Sequence, residues 1–300
     1  MIRGLKRSIY RNLMKLGVVS PEVILQIDGG VCSQMHQYLL GQLFAEKGYR
    51  VAFDFSFFEE WGSDLDHRFV RNFDLLKAFP YLQVKKATKT AVGVYRRKYY
   101  YGGNNSGVKI DDFSFLELTP PLFLGGYYHL PAELWLKTFR SVFHMVPGVL
   151  DGENEKLCNN IKSCSCSVAV HVRRGDLVAE VYAYGKPASF EYFRDSILFF
   201  RKEGMSPYFY FFSDEPEWVY NDLIPRLPLT ENYKVVDING SDKGYMDLYL
   251  IAHCDHQITS KGTLGKYGAL LNDNPQKYVV LCDDKTEYSW KDLLCNPVFL

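Results

Sequence analysis

Residues 171–176 read His-Val-Arg-Arg-Gly-Asp, at the end of the apolar run Val168-Ala169-Val170. Two adjacent guanidinium groups with a carboxylate make an anion site, because each planar fork binds two oxygens at once, as a diphosphate presents them. If the strand stays extended, Arg173 and Arg174 point to opposite sides; one reaches a ligand while the other pairs with Asp176 or lies on the far face. A second such end is Ser213-Asp214-Glu215 before Pro216, after the run Tyr-Phe-Tyr-Phe-Phe. Acid there accepts hydrogen bonds from a ribose or a base. A third is Ser260-Lys261-Gly262-Thr263-Leu264-Gly265-Lys266. Small residues opening a helix expose backbone donors that suit phosphate, and Lys261 and Lys266 add charge. Three ends of this kind on one sheet are what a nucleoside diphosphate needs. The sequence has no GxxxxGK[ST] and no GxGxxG, which argues against P-loop chemistry and against a Rossmann dehydrogenase.

The elements that must carry these residues follow from the pattern. Short continuous apolar runs at 168–172, 208–212, 234–238, 256–259 and 277–281 alternate with helix-like stretches at 189–203, 216–225, 244–253 and 263–272. Such alternation argues an α/β, doubly wound parallel sheet covered on both faces, in which ligands bind outside the carboxyl ends of the strands. The first half opens in the same way, with a strand at 23–27, then Asp28-Gly29-Gly30, a helix, and a strand at 50–55. Residues 60–125 are less regular, and the basic, aromatic stretch 85–107 reads as a solvated loop or flap, or as a sugar- or lipid-facing surface. Residues 129–161 read as helical, and 151–165 has the composition of a linker. The expected organisation is two Rossmann-like domains, 1–160 and 161–300.

Composition excludes little but excludes it clearly. Lysine plus arginine equals aspartate plus glutamate at 35 each, so any anion site must come from local clustering, and net charge makes no case for nucleic acid. The seven cysteines are odd in number, scattered and without a CxxC pair, as expected of reduced cytosolic thiols. Cys158, Cys164, Cys166 and His171 fit no common zinc spacing, so no metal is expected. No stretch reaches the ~20 apolar residues of a membrane span. Near the start, Ile2, Leu5, Ile9, Leu13 and Leu16 recur at helical spacing among Arg3, Lys6, Arg7, Arg11 and Lys15. Two readings stand: a helix on an anionic membrane surface, or one packed on the body with a solvated basic face.

Read together, the segments 29–38 (Gly-Gly-Val-Cys-Ser-Gln-Met-His-Gln-Tyr), 124–129, 171–176, 212–218 and 256–271 resemble the bacterial α-1,2-fucosyltransferase family, in the same order over nearly the whole chain. The resemblance implies the GT-B fold, two Rossmann-like domains facing a cleft, and inverting transfer of L-fucose from GDP-β-L-fucose to a glycan acceptor without an essential metal or other cofactor. It implies donor binding by His171, Arg173, Arg174, Asp176, Ser213, Asp214, Lys261 and Thr263. An acceptor would lie against Gly29, Gly30, Gln34 and His36. The chain departs from the family at Cys32, Ser33 and His36, where Gly-Asn and Phe are usual. It departs again at 261–267, where the family reads Asn-Ser-Thr-Phe-Ser-Trp-Trp; added lysines there would grip phosphate.

An inverting transfer also needs a destination for the acceptor's proton, and Asp28, His36 and Asp54 all stand near strand or turn ends. The departing diphosphate oxygen is the alternative destination. Asp64-Leu65-Asp66 has the DxD form used by metal-dependent transferases, but it follows no clear apolar strand. The rivals are transfer of another nucleotide sugar on the same fold and, of a different class, a nucleotide- or glycan-binding module without turnover.

Overall fold

The computed structural model describes residues 2–64, 69–101, 109–110, 113–128, 130–179 and 186–300. Leu65 and Asp66 of the DxD-like triplet lie outside the described residues. The chain divides into two compact units: Met1–Leu76 with Pro80–Phe143, and Lys77–Phe79 with His144–Leu300.

The first unit is built on four parallel strands: β1 (Val23–Gln26), β2 (Val51–Asp54), β3 (Tyr100–Tyr101) and β4 (Leu122–Leu124), in the order β2-β1-β4-β3. Helix α1 spans Ile2–Lys15, and α2 (Val31–Glu46) links β1 to β2. Helix α2 is buried over most of its circumference, and Gly41 is required where it crosses β2, since a Cβ there would come within 2.8 Å of the Phe53 ring. The stretch expected to be a loop at 85–107 contains a helix, α3 (Lys89–Lys98). Its N-terminus is capped by Thr88 Oγ1, which accepts from the Ala91 N–H, and Ala91, Val92, Val94 and Tyr95 face the core. The many basic residues hid this pattern because they occupy only the outer face.

The second unit has six parallel strands: β5 (Ser167–Val172), β6 (Tyr208–Ser213), β7 (Tyr233–Val236), β8 (His256–Thr259), β9 (Val279–Leu281) and β10 (Pro297–Phe299), in the order β7-β6-β5-β8-β9-β10. From β5 the chain winds outward to β7, then returns past its start to place β8 on the other side. This is the doubly wound arrangement expected from the alternation of runs. Its switch point lies between β5 and β8, where ligand crevices open in such sheets. Val168, Val170 and Val172 of β5 pack on one face with Phe193, Ile197 and Phe200; Ala169 packs on the other with Leu157, Ile161, Leu250 and Ile251. Burial on both faces explains why β5 reads as a continuous apolar run.

The stretch expected to be helical holds two helices, α4 (Ala132–Val142) and α5 (Gly152–Ser163), separated at 143–151 by a segment with Pro147 and Gly148. Helix α5 starts at the Asp151 cap, and Leu157, Cys158 and Ile161 belong to the second unit's core. The units therefore part between Phe143 and His144, ahead of the position 160 expected from composition, because the polar surface of α5 conceals an apolar stripe. The sheet's covering helices are completed by α6 (Gly175–Ala179), α7 (Phe190–Lys202), α8 (Gly244–His253) and α9 (Leu264–Leu271).

Candidate functional site

At the switch point β5 and β8 stay paired until Thr259 meets His171, and the Ser260 N–H then donates to the His171 carbonyl at 3.1 Å. The Arg173 N–H donates to Ser260 Oγ at 2.8 Å. Beyond this tie the two backbones diverge. Gly262 turns with φ +93°, and a Cβ on it would sit 2.6 Å from Arg173 Cδ. Only glycine serves there, on both counts. The Arg173 side chain thus lies across the loop that opens α9, with Nε donating to Asp176 Oδ1 at 2.9 Å and Nη2 to Oδ2. Asp176 is buried and fixes the guanidinium by this two-pronged grip; Arg173 keeps about a quarter of its side chain exposed.

Arg174 turns instead toward the exit of β6. Its guanidinium carbon sits 4.1 Å from the centre of the Trp218 ring, and Nε lies 2.9 Å from Glu215 Oε2. Asp214 holds the turn between the arginines and α6: its two carboxylate oxygens accept from the N–H groups of Arg174 at 3.0 Å and Gly175 at 3.1 Å. The residue is exposed, while burial of its carboxyl raises its pKa, opposed by Arg173 and by the N–H groups of Arg174 and Gly175. Ser213 donates to the Val172 carbonyl and accepts from the Glu215 N–H, so its hydroxyl serves the turn.

His171 lies beneath α9. A Cβ on Gly265 would come within 2.8 Å of the His171 Cβ. The imidazole is buried, and its Nδ1 has no hydrogen-bond partner. Burial, with Arg173 and Lys266 nearby, pushes its pKa down to about 3, so the ring is neutral at physiological pH.

The two lysines of the α9 loop are already engaged. Lys266 is buried, 2.6 Å from Glu287 Oε2, and donates to the carbonyls of Ser260 at 3.2 Å and Gly262 at 2.6 Å. Burial lowers its pKa, and Glu287 opposes the shift. A phosphate-gripping role for Lys266 is therefore corrected: at 1% side-chain exposure it braces the loop from behind. Lys261 pairs with Asp284 at 2.7 Å and donates to Thr286 Oγ1. Thr263 caps the helix with its backbone alone and is exposed.

In the first unit the three candidate bases separate by environment. Asp54 is buried; Oδ1 accepts from the Ser56 N–H at 2.9 Å and hydroxyl at 2.6 Å, and Oδ2 is 2.7 Å from Arg96 Nη2. His36 Nδ1 accepts from Trp135 Nε1 at 3.3 Å, and Nε2 donates to the Tyr128 carbonyl at 2.9 Å. Both ring nitrogens of His36 are committed, and Asp54 is buried against Arg96, so neither is placed to take a proton from an acceptor. Gln34 is corrected likewise: fully buried, it donates to the carbonyls of Gly29 and Asn72 and accepts from the N–H groups of Asp74 and Leu75. It builds the loop beside α2 and cannot touch an acceptor. Asp28 is half-buried at the carboxyl end of β1, beside Gly29 with φ +68° and Gly30 at the start of α2, and accepts from the amides of Gln26 at 2.7 Å and Gln37 at 2.6 Å.

Two features escaped the sequence. One is the Lys266–Glu287 pair. The other is a polar network past β7: Asn154 donates to Asn239 Oδ1, and Asn239 donates to Asn154 Oδ1 and to Asp247. Burial pushes the Asp247 carboxyl up to about 7, against the Asn239 hydrogen bond that lowers it. Its signal was a carboxylate in the first turn of the otherwise apolar helix Gly-Tyr-Met-Asp-Leu-Tyr-Leu-Ile. Among the described residues no group of three or more His, Cys, Asp or Glu is arranged to hold a metal, and no helix is long and apolar enough to cross a membrane.

A family model described as glycosyl transferase family 11 matches residues 140–291, just over half of the chain. An Escherichia coli α-1,2-colitosyltransferase is 27% identical over 140 residues, 45% of each chain. The O-antigen biosynthesis glycosyltransferase WbnK of Escherichia coli is 26% identical over 133 residues, 41% of this chain and 43% of that one. The match thus spans less than half the length of either relative. Among solved structures, NodZ α-1,6-fucosyltransferase co-crystallized with GDP aligns with a TM-score of 0.48 at 11% identity, covering 84% of this chain and 93% of that one. POFUT1 in complex with GDP aligns at 0.49 and 10% identity, covering 87% and 98%.

Proposed function

The chain belongs to glycosyl transferase family 11, and from this premise we propose that it is an inverting galactoside α-1,2-fucosyltransferase. It moves L-fucose from GDP-β-L-fucose to a galactose-type hydroxyl in surface polysaccharide or O-antigen assembly. The observation that carries the reading is Arg173, fixed by Asp176 at the switch point and laid across the loop that opens α9.

As the bond from sugar C1 to the diphosphate breaks, negative charge grows on the leaving oxygens while the sugar becomes oxocarbenium-like. A guanidinium held in place beforehand stabilises that charge without reorganising, so it favours the transition state over the ground state. Arg173 takes this role, with the exposed Thr263 and the N–H groups opening α9 beside it. Arg174, held by Glu215 and Trp218, supports the donor from the neighbouring turn, and Asp176 acts through Arg173. Asp214 orients the nucleoside through its carboxylate, and neutral His171, beneath α9, keeps added charge out of the site. Lys261 contributes by sharing its ammonium between Asp284 and the diphosphate. The acceptor lies along Gly29 and Gly30, and Asp28, half-buried at the carboxyl end of β1, takes its proton. The proposal includes peripheral contact with the cytoplasmic face of a membrane.

A second reading is favoured by the colitosyltransferase relative. Colitose is L-fucose without its 3-hydroxyl, so the same site would then act on a GDP-linked dideoxy sugar. Both readings meet one test: release of GDP from GDP-fucose, GDP-colitose, GDP-mannose and UDP-galactose over a panel of galactosides. Preference for GDP-fucose is expected. GDP binding without any release would leave a binding module instead.

A further inference from the structure

Helix α1 faces the opposite way from an ordinary surface helix. Tyr10 and Met14 pack against the cluster of Ala91, Val92 and Tyr95 on α3, and the Arg7 guanidinium lies so close to Gly93 that a Cβ there would come within 2.5 Å of Nε. At 100° per residue, Leu5, Ile9 and Leu16 fall on one line, opposite Met14. These side chains are 64%, 49% and 76% exposed, and Val18, just beyond, is 69% exposed. Lys6 and Lys15 are exposed on either flank of that line. The helix is packed on the body with exposed lysines, as one sequence reading had it, but through Tyr10 and Met14, while the line of Leu5, Ile9 and Leu16 faces outward.

We infer that this outward face of α1 docks on an anionic lipid surface, its aliphatic side chains entering the headgroup boundary while the flanking cations meet lipid phosphates. Charge complementarity selects that occupant. Residues 1–21 hold Arg3, Lys6, Arg7, Arg11 and Lys15 and no acidic residue, and α3 beneath ends in Arg96, Arg97 and Lys98, all exposed. A second copy of the chain would bring cations against cations. A nucleic acid would satisfy the lysines but leave four large aliphatic side chains against a polar backbone. A lipid surface takes both at once, and a single helix with several cations gives reversible attachment. This inference does not rest on the transfer reaction; it needs only the exposed face.

The test is co-sedimentation of the whole chain with vesicles of phosphatidylglycerol and phosphatidylcholine, against phosphatidylcholine alone. Binding to the anionic vesicles only is expected, and it falls as salt is raised. Leu5→Gln with Ile9→Gln and Leu16→Gln, and separately Lys6→Glu with Lys15→Glu, each weaken partitioning by roughly tenfold or more. Far-UV circular dichroism and thermal unfolding of both variants match the parent, since the altered side chains are exposed. A parent that stays in the supernatant with anionic vesicles, or variants that sediment as it does, overturns the inference. GDP release measured without vesicles is unaffected by either result, so it tests the transfer reaction separately.

Discussion

Replacing Lys266 by Met removes one half of a buried ion pair and leaves Glu287 with no cation, at side-chain exposures of 1% and 6%. Breaking such a pair from one side costs about 3–5 kcal/mol. The two hydrogen bonds to the carbonyls of Ser260 and Gly262 add about 1 kcal/mol each, partly offset by the apolar replacement. Urea unfolding at pH 7 reads the loss directly, and a thermal scan shows a fall of roughly 6–20 °C. The double variant Lys266→Met with Glu287→Met recovers most of it, since apolar pairs replace buried ion pairs at little cost. Donor KM rises in both, because the two carbonyls lose the ammonium that braces the α9 loop. A single variant within about 1 kcal/mol of the parent, or a double variant worse than the single, refutes the argument.

Arg173→Ala lowers kcat/KM by about a hundredfold or more, roughly 3 kcal/mol of barrier, and Arg173→Lys does not restore it because the two-pronged grip is lost; steady-state GDP release measures both, with Arg174→Ala expected to cost less. Asp28→Asn abolishes most turnover while leaving GDP affinity intact, whereas Asp54→Asn lowers the melting temperature; equal turnover in Asp28→Asn and the parent assigns the proton to the diphosphate. With its pKa held near 3, His171 stays neutral in the folded chain while the unfolded chain takes up a proton below about pH 6.5. Its contribution is therefore complete above pH 6.5 and declines toward pH 3 by about 1.4 kcal/mol per unit, a slope that His171→Gln removes from a pH series of urea melts. Activity is unchanged in chelator.

The second unit could be read from sequence because its strands are buried on both faces: the helix at 244–253 and the strand at 256–259 match the structure residue for residue. The arginines were found because they end such a run. The division between them was not readable, since it depends on Ser260 and Gly262, nearly ninety residues on. For the same reason Lys266 was taken for a phosphate ligand: its partner Glu287 belongs to a different strand's exit, and no local pattern announces a pairing across a fold. Helix α3 was missed because its inward residues are spaced among charges that face outward. His36 and Asp54 were chosen by position near strand or turn ends and Gln34 by the resemblance, and partners from distant segments, Trp135, Arg96 and Asn72, commit them.

The close fit of α9 against its neighbours constrains any attempt to change what the site accepts. Restoring the commoner wording of this segment one letter at a time would bring a serine to 262 and another to 265, each planting its first carbon inside the space of Arg173 or His171, at 2.6 and 2.8 Å. Intermediates of that kind lose the pocket before any new specificity emerges. Exchange of the segment has to come as a block, with residues 283–287 exchanged alongside, so that both lysines and their acidic counterparts leave together.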